Sequence, residues 1–268
     1  MSNPFLHNYH SHTTRCGHAS GADEKYVIAA MEAGFQTIGF SDHVMLPGIH
    51  QEGMRGDISL LEDYIQSVNE LKKKYAGQID VKLGFECEYS SYNFSDYYHE
   101  LLEQRGFDYL ILGQHCSFDP GYGSMRWYPD MGNRKTQLYM YTKDLIDGME
   151  SGLFAYVAHP DFFMLLARYW DEETERISRE ICEVAERLHI PLELNMGRTR
   201  GSDAIFLMDE IEPIYPFPAF WRIVSEYDID VIVGVDAHKP SHYRTSDYEA
   251  FAEILRKYNL KWKQKLDF

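Results

Sequence analysis

The stretch "NYHSHTTRCGH", residues 8–18, sets three imidazoles, His10, His12 and His18, within nine positions. Short His-rich tracts bind metal ions, but they also occur as solvated segments, so the rest of the chain has to decide. Further along, "FSDH" ends in Asp42 and His43, "LGFE" in Glu86, "GQH" in His115, "AHPD" in His159 and Asp161, and "VDAH" in Asp236 and His238. Together with the first three histidines, His43, Glu86, His115, His159, Asp236 and His238 make nine candidate metal ligands: seven His, one Glu and one Asp. Imidazole and carboxylate suit Zn, Mn, Fe or Co. One ion takes about four to six ligands, so this set suits two to three divalent transition-metal ions if a carboxylate bridges. His7, His50, His99, His189 and His242 lie outside the pattern and read as solvated or structural.

Positioning such a set requires several strands. Seven apolar runs recur: "PFLHNYHSH", "TIGFSDH", "DVKLGFECEY", "DYLILGQH", "FAYVAHPD", "PLELNMG" and "DVIVGVDAH". They are rich in Val, Ile, Leu, Phe and Tyr, and helical patterns separate them over about 22–34, 57–76, 95–105, 133–151, 172–189, 217–227 and 246–258. Asp23 and Glu24 favour a helix start, and Gly34 and Gly152 favour helix ends. Seven strands alternating with helices predict a mainly parallel α/β sheet, closed or nearly closed as a (β/α) barrel, or open and doubly wound. The barrel is favoured because nearly every strand ends in His, Asp, Glu or Asn, and barrel active sites lie at the C-terminal strand ends. No linker or low-complexity segment interrupts the chain, which predicts one domain over residues 1–268. Side chains at i and i+2 of a strand share a face, so His10 with His12, and Asp236 with His238, are same-face pairs.

Composition excludes several function classes. The formal charge is −16 with no Lys/Arg run longer than Lys72–Lys74, which argues against a nucleic-acid partner. Cys16, Cys87, Cys116 and Cys182 form no CxxC pair or disulfide framework. Cys87 and Cys116 read as small buried apolar residues, and Cys16 as a loop residue near the histidines. No signal pattern and no membrane-length apolar run is present, so a cytoplasmic protein without a membrane partner is expected. The sequence leaves the oligomeric state open.

His-Ser-His at 10–12, Ser-Asp-His at 41–43, Gly-Phe-Glu at 84–86, Gly-Gln-His at 113–115, His-Pro-Asp at 159–161 and Val-Asp-Ala-His at 235–238 together resemble the PHP superfamily, polymerase and histidinol phosphatase. "RCGHASG" and "FSDH" look most like its histidinol-phosphate phosphatase branch. The resemblance implies a distorted (β/α)7 barrel in which His10, His12, Glu86 and Asp236 hold a first metal. Glu86 would bridge to a second held by His115 and His159, and His18, His43 and His238 would hold a third. An amidohydrolase also opens on His-x-His, but it has eight strands and lacks the third-strand Glu and the closing Asp-Ala-His.

Three divalent ions among two carboxylates and seven neutral imidazoles leave a net charge of roughly +4, a site for an anion. A phosphate monoester fits, with water deprotonated near a pH of about 7 as nucleophile. The branch implies hydrolysis of L-histidinol phosphate in histidine biosynthesis. Phosphatases of nucleotides or other small phosphate esters, a metal-dependent nuclease and a non-catalytic metal-binding protein are the alternatives. An alkyl leaving group benefits from a proton donor, for which Asp161 is favoured over Asp42 and His43. Asp42 instead suits orienting a ligand histidine. Asn195 and Arg198 in "NMGR" are the expected substrate contacts, with Arg200, Arg126 and Arg134 as further guanidinium candidates. Glu88 and Asp119 are candidates to meet a substrate amine.

Overall fold

A computed structural model of the chain describes residues 3–90, 94–197 and 215–268. Its strands are β1 (His7–Asn8), β2 (Thr37–His43), β3 (Asp80–Cys87), β4 (Tyr109–Leu112), β5 (Cys116–Asp119), β6 (Ser124–Trp127), β7 (Leu192–Asn195), β8 (Asp230–Gly234) and β9 (Lys261–Trp262). β1, β2, β3 and β4 pair in parallel in that order, and β7, β8 and β9 do the same. Val157 joins the two groups by parallel bridges to Leu112 and Leu192, and a Ser11–Ala237 bridge closes the circle. Seven chain segments therefore surround one axis, the distorted (β/α)7 barrel expected from the sequence.

Besides the short helices Phe163–Ala167 and His242–Thr245 and the short strand β9, which the sequence reading did not include, two details differ from it. The run "FAYVAHPD" forms no ladder of its own and contributes the Val157 bridges, because the backbone turns left-handed at His159 (φ 34°) and leaves the sheet. The segment after β4, for which the sequence reading names no element, contains the antiparallel hairpin β5–β6.

The helices are α1 (Asp23–Glu32), α2 (Leu61–Lys74), α3 (Ser95–Gln104), α4 (Arg134–Glu150), α5 (Phe163–Ala167), α6 (Glu172–Leu188), α7 (Pro218–Val224), α8 (His242–Thr245) and α9 (Tyr248–Lys257). Their limits follow local chemistry. Asp171 caps α6 through a reciprocal box with Thr174, and Glu172, Glu173 and Glu175 sit at its positive end. Ile177, Ile181 and Ala185, four apart, are the buried stripe of α6, and its chain reverses at His189 (φ 54°). Gly34 (φ 90°) and Gly152 (φ 70°) follow α1 and α4, where a left-handed residue ends the helix.

Alternation along the strands separates two cores. Ile38 and Phe40 of β2, Leu83 and Phe85 of β3 and Val231 and Val233 of β8 pack outward against the helices. Tyr9, Tyr109, Ile111, Tyr156, Ala158, Ile232 and Leu266 form a separate cluster inside the barrel. Tyr109 fills that space because β2 and β3 offer glycines there: a Cβ on Gly39 or Gly84 would come within 2.1 or 2.6 Å of it. Its hydroxyl donates to the Tyr9 carbonyl at 2.6 Å. After β9 the chain passes beneath this floor. The Leu266 N–H donates to the Tyr9 hydroxyl at 3.2 Å, and the Phe268 ring stacks on Tyr109 with centroids 4.9 Å apart.

Candidate metal centre

Above that floor, the same inward-facing register changes from phenols to ligands. On β3, Gly84 is followed at i+2 by Glu86, which is 1% exposed. On β7, Glu193 and Asn195 face inward, and Asp236 lies two residues beyond Gly234 at the end of β8. Glycines again make room: a Cβ on Gly113 would lie 2.0 Å from Glu86 Oε1, one on Gly234 1.8 Å from Glu193 Oε1, and one on Gly197 2.1 Å from Asp236 Oδ2. His159 (φ 34°) and Asp236 (φ 50°) adopt left-handed backbone, which a non-glycine residue holds at an energetic cost.

The structure brings all nine sequence-derived candidates into one cluster. Glu86 Oε2 lies 3.5 Å from both His10 Nε2 and His12 Nε2. Asp236 Oδ1 lies 3.6 and 3.1 Å from the same two nitrogens. Ligand atoms on a tetrahedral ion with bonds of about 2.1 Å stand about 3.4 Å apart, so these four atoms have the spacing of a coordination shell. The other oxygen, Glu86 Oε1, faces His159 Nε2 at 2.7 Å and His115 Nε2 at 3.6 Å. Glu86 thus presents one oxygen to each of two ligand sets. His18 Nε2 and His238 Nε2 are 3.0 Å apart.

His43 is less tidily placed than the sequence reading has it. Its Nδ1 lies 3.1 Å from Glu86 Oε2, and it belongs both to a His12–His43–His238 group and to a His43–Glu86–His115 group. The His12 and His238 rings stack at 3.9 Å, so His12 reaches toward the set assigned to His18, His43 and His238.

The donor set fits metal ions on independent grounds. His10 Nε2, both ring nitrogens of His12 and His43 Nδ1 are buried without a hydrogen-bond partner, a condition proteins avoid unless something else satisfies the atom. Electrostatics agree. Burial alone would raise the Glu86 carboxyl, but His115, His10 and His43 hold it well below the usual carboxylate range. Burial would likewise raise Asp236, and His10 and His238 reverse this. His43 and His238 are held well below the ordinary imidazole value by burial, reinforced by neighbouring His12. Ionised carboxylates beside neutral imidazoles, as at these four, are the protonation states that ligation requires. His10 and His12 run the other way: burial opposes it, but Glu193, Asp236 and Glu86 raise His10, and Asp236 and Asp42 raise His12 to about 9, so ligation at these two requires a cation to displace a proton.

Around this cluster stand three carboxylates, two of which accept from candidate-ligand imidazoles. Glu193 accepts from His10 Nδ1 at 2.9 Å and from the His159 N–H at 3.2 Å. Glu88 accepts from His115 Nδ1 at 3.1 Å. Asp42 accepts from the Thr13 hydroxyl and the His43 N–H; it lies 3.6 Å from His12 Nδ1, beyond hydrogen-bond reach of the imidazole it was expected to orient. The sequence reading missed Glu193 altogether. The i, i+2 rule that paired His10 with His12 also pairs Glu193 with Asn195 and would have found it.

Other candidates sit where their first roles do not suit them. Asn195 donates to Glu193 Oε2 at 2.8 Å and accepts from the Gly197 N–H at 2.6 Å, so its amide is spent on the protein. Glu88 is paired with the Arg55 guanidinium at 2.9 Å and Asp119 with Arg126 at 2.9 Å, which leaves neither for a substrate amine. Arg134 is bound to Asp171 and Glu173, each at 2.9 Å. Cys116 is buried, yet its sulfur lies 3.6 Å from both Arg55 Nη2 and Glu88 Oε1, a polar setting rather than the apolar one expected. Cys87 lies in the outer core as expected, and Cys16 donates to the Thr13 carbonyl at 3.1 Å beside His12 and Asp42. Asp161 is buried, and its Oδ2 accepts from the Phe217 N–H at 2.7 Å and Trp221 Nε1 at 3.1 Å, tying the loop after Val157 to the start of α7. Its Oδ1 has no partner, and burial pushes the carboxyl up to about 6. Arg198 and Arg200 lie outside the described residues.

A seven-position (β/α) barrel with a bridged His/carboxylate cluster at the C-terminal strand ends defines a polynuclear metal-binding barrel. Comparison with known families is specific: the PHP domain model matches residues 8–197, and the chain belongs to that family. The match ends before Asp236 and His238, whose membership of the cluster rests on the geometry above. A Deinococcus radiodurans protein described as a probable histidinol-phosphatase is 26% identical over 248 residues, covering 91% of each chain. A Bacillus subtilis histidinol-phosphatase is 33% identical over 87 residues, 30% of this chain and 32% of that one. A Lactococcus lactis histidinol phosphate phosphatase, solved with zinc, L-histidinol and phosphate, shares the fold with a TM-score of 0.69 at 16% identity over 98% of this chain and 99% of that one.

Proposed function

We propose that this protein is a metal-dependent phosphomonoesterase that hydrolyses L-histidinol phosphate to L-histidinol and phosphate. The observation that carries the chemistry is Glu86, a buried carboxylate whose two oxygens face two separate sets of imidazoles. The substrate rests on the relatives: full-length likeness to a probable histidinol-phosphatase, and a shared fold with an enzyme solved with histidinol and phosphate. In this reading His10, His12, Glu86 and Asp236 hold one ion, Glu86, His115 and His159 a second, and His18, His43 and His238 a third. Bound divalent ions supply positive charge for the phosphoryl oxygens and a water-derived nucleophile at neutral pH.

The chain's own residues do the rest. Glu193 and Glu88 orient His10 and His115 and set which nitrogen faces the cluster. Asn195 acts by positioning Glu193 and the Gly197 turn. Asp161 Oδ1, buried and unpartnered, is the atom assigned to hold the proton for the leaving alkoxide. Arg198, in "NMGR", is assigned to the phosphate on the chemistry of guanidinium. The ligand set runs from His10 to His238, which supports reading 1–268 as one functional unit. No described helix is long and apolar enough to cross a membrane, and the four cysteines are unpaired; we place the protein in the cytoplasm.

The test is phosphate release from a panel of phosphomonoesters with added Mn²⁺, Zn²⁺ or Fe²⁺. Histidinol phosphate is expected to exceed nucleoside monophosphates by at least about tenfold in kcat/KM, or about 1.4 kcal/mol of transition-state binding. Equal turnover of a nucleotide overturns the substrate assignment and leaves the chemistry standing.

A further inference from the structure

Among the three carboxylates around the cluster, Glu88 is the one held by a buried cation. Arg55 is 4% exposed and lies in the connection between β2 and α2, well away in sequence from every ligand. Each part of its guanidinium is used. Nε donates to Gln51 Oε1 at 2.9 Å, Nη1 to the Val44 carbonyl at 3.0 Å, and Nη2 to Glu88 Oε2 at 2.9 Å. Val44 directly follows β2, and Glu88 directly follows β3. Arg55 therefore fixes the ends of two neighbouring ligand-bearing strands against each other, with Cys116 filling the space beside it.

The geometry on the far side of Glu88 gives this clamp a chemical consequence. Its Oε1 faces His115 Nδ1 at 3.1 Å, while His115 Nε2 faces Glu86 Oε1 at 3.6 Å. A carboxylate accepts but does not donate, so Nδ1 must carry the hydrogen and Nε2 must be the lone-pair atom turned toward the cluster. Without the guanidinium, Glu88 would be a buried charge lacking its counterion, free to turn toward other donors or take up a proton. With it, both oxygens are committed, one to Arg55 and one to His115.

We propose that Arg55 is a positioning residue for the second metal set: through Glu88 it holds His115 in the orientation and tautomer that present Nε2 beside Glu86. This rests on the reading of the cluster as a metal centre. Lys cannot replace Arg here, because a single ammonium lacks the planar fork that reaches Gln51, Val44 and Glu88 at once.

The experiment titrates metal-free full-length protein with Mn²⁺ alone, by calorimetry and by metal analysis after gel filtration, on the wild type and on Arg55→Lys, Arg55→Met, Glu88→Gln and the surface control Arg176→Met. In parallel, ¹⁵N NMR of the imidazoles in the metal-free proteins reports the His115 tautomer. The wild type and Arg176→Met are expected to bind two to three equivalents. Arg55→Met and Glu88→Gln are expected to weaken one equivalent by about 10- to 100-fold, the usual effect of losing an outer partner, with the tightest equivalent unchanged. His115 should lose its single Nδ1–H tautomer in the same variants. Arg55→Lys keeps charge and most of the volume; it should fold even if Arg55→Met does not, and should show the same weakening. If Arg55→Lys and Glu88→Gln fold, bind every equivalent as the wild type does and keep the tautomer, the positioning role is overturned. If the wild type itself binds fewer than two equivalents, it is the metal-centre reading that fails, whatever Arg55 does.

Discussion

Glu86 concentrates the chemistry of this site in one side chain. Its buried carboxylate meets His10 and His12 through Oε2 and His115 and His159 through Oε1. Glu86→Gln keeps the shape but removes the charge and makes one of the two atoms a nitrogen that cannot ligate. We expect kcat for phosphate release to fall by more than about 10³, over about 4 kcal/mol of barrier. Metal content should drop by at least one equivalent, with far-UV circular dichroism unchanged. His189→Gln, at the exposed end of α6, serves as the control and should keep near-full activity. Retention of activity within tenfold, at saturating metal, would remove the bridged arrangement and with it the pairing of His115 and His159. At this scale the sequence was informative: nine residues chosen by type and strand-end position converge in space. It was silent where a role depends on what the other end of a side chain touches. Asn195 and Glu88 were offered to the substrate because their types allow it; the partner of Glu88, Arg55, is 33 residues away, while that of Asn195, Glu193, is only two residues off on the same strand face and was overlooked.

Among the elements, strand positions followed from apolar runs and most helix limits from caps and acidic first turns. The hairpin β5–β6 did not, because "CSFDPGYGSMRW" is short, half polar and interrupted by Gly and Pro. What holds it is a polar relay. Gln114 donates to the Tyr128 hydroxyl at 2.6 Å, and that hydroxyl donates to Asp144 of α4 at 2.9 Å. Burial raises the Asp144 carboxyl to about 6, above its ordinary value, and the Ser117 and Tyr128 hydrogen bonds only partly oppose this. A carboxyl raised in the folded state binds its proton more tightly there than in the unfolded chain. Its favourable contribution is therefore present at low pH, and it declines as pH rises from about 4 through about 6. Asp144→Asn removes that dependence. Urea midpoints should show the variant gaining on the wild type by about 1–3 kcal/mol at pH 7.5 relative to pH 4.5. A difference between variant and wild type that is the same at both pH values would show that the relay holds no pH-dependent strain.

Taken as a whole molecule, the barrel has a floor and a mouth of opposite character. Phenols and aliphatic groups fill one end, and imidazoles and carboxylates the other. The floor is completed by the last residues: Leu266 is 5% exposed and Phe268 lies against Tyr9 and Tyr109. Removing residues 264–268 should cost about 2–3 kcal/mol from the uncovered Leu266 and aromatic faces, read as a lower melting temperature. Metal stoichiometry should be unchanged, because the proposed ligands stand at the other end. A truncated chain that melts like the full one would show that the tail is not part of the core. Barrel class and closure were legible from the order of motifs. The tail was not, since "KWKQKLDF" carries only a faint strand signal, and its docking on Tyr9 is a contact across 257 residues.

The seam between the first and last barrel strands bears on how the protein is made. The Asn8 side chain accepts from the Val235 N–H at 2.7 Å, across 227 residues of sequence, and the Ser11–Ala237 bridge closes the ring beside it. His10 and His12 thus leave the ribosome long before Asp236 and His238. A nascent chain that stops short of β8 carries seven of the nine candidate ligands, including the whole Glu86, His115 and His159 set, and lacks only Asp236 and His238, which complete the other two. Contacts this distant form late and slowly. Completion of the other two proposed sets is therefore expected only at the end of synthesis, when the seam shuts.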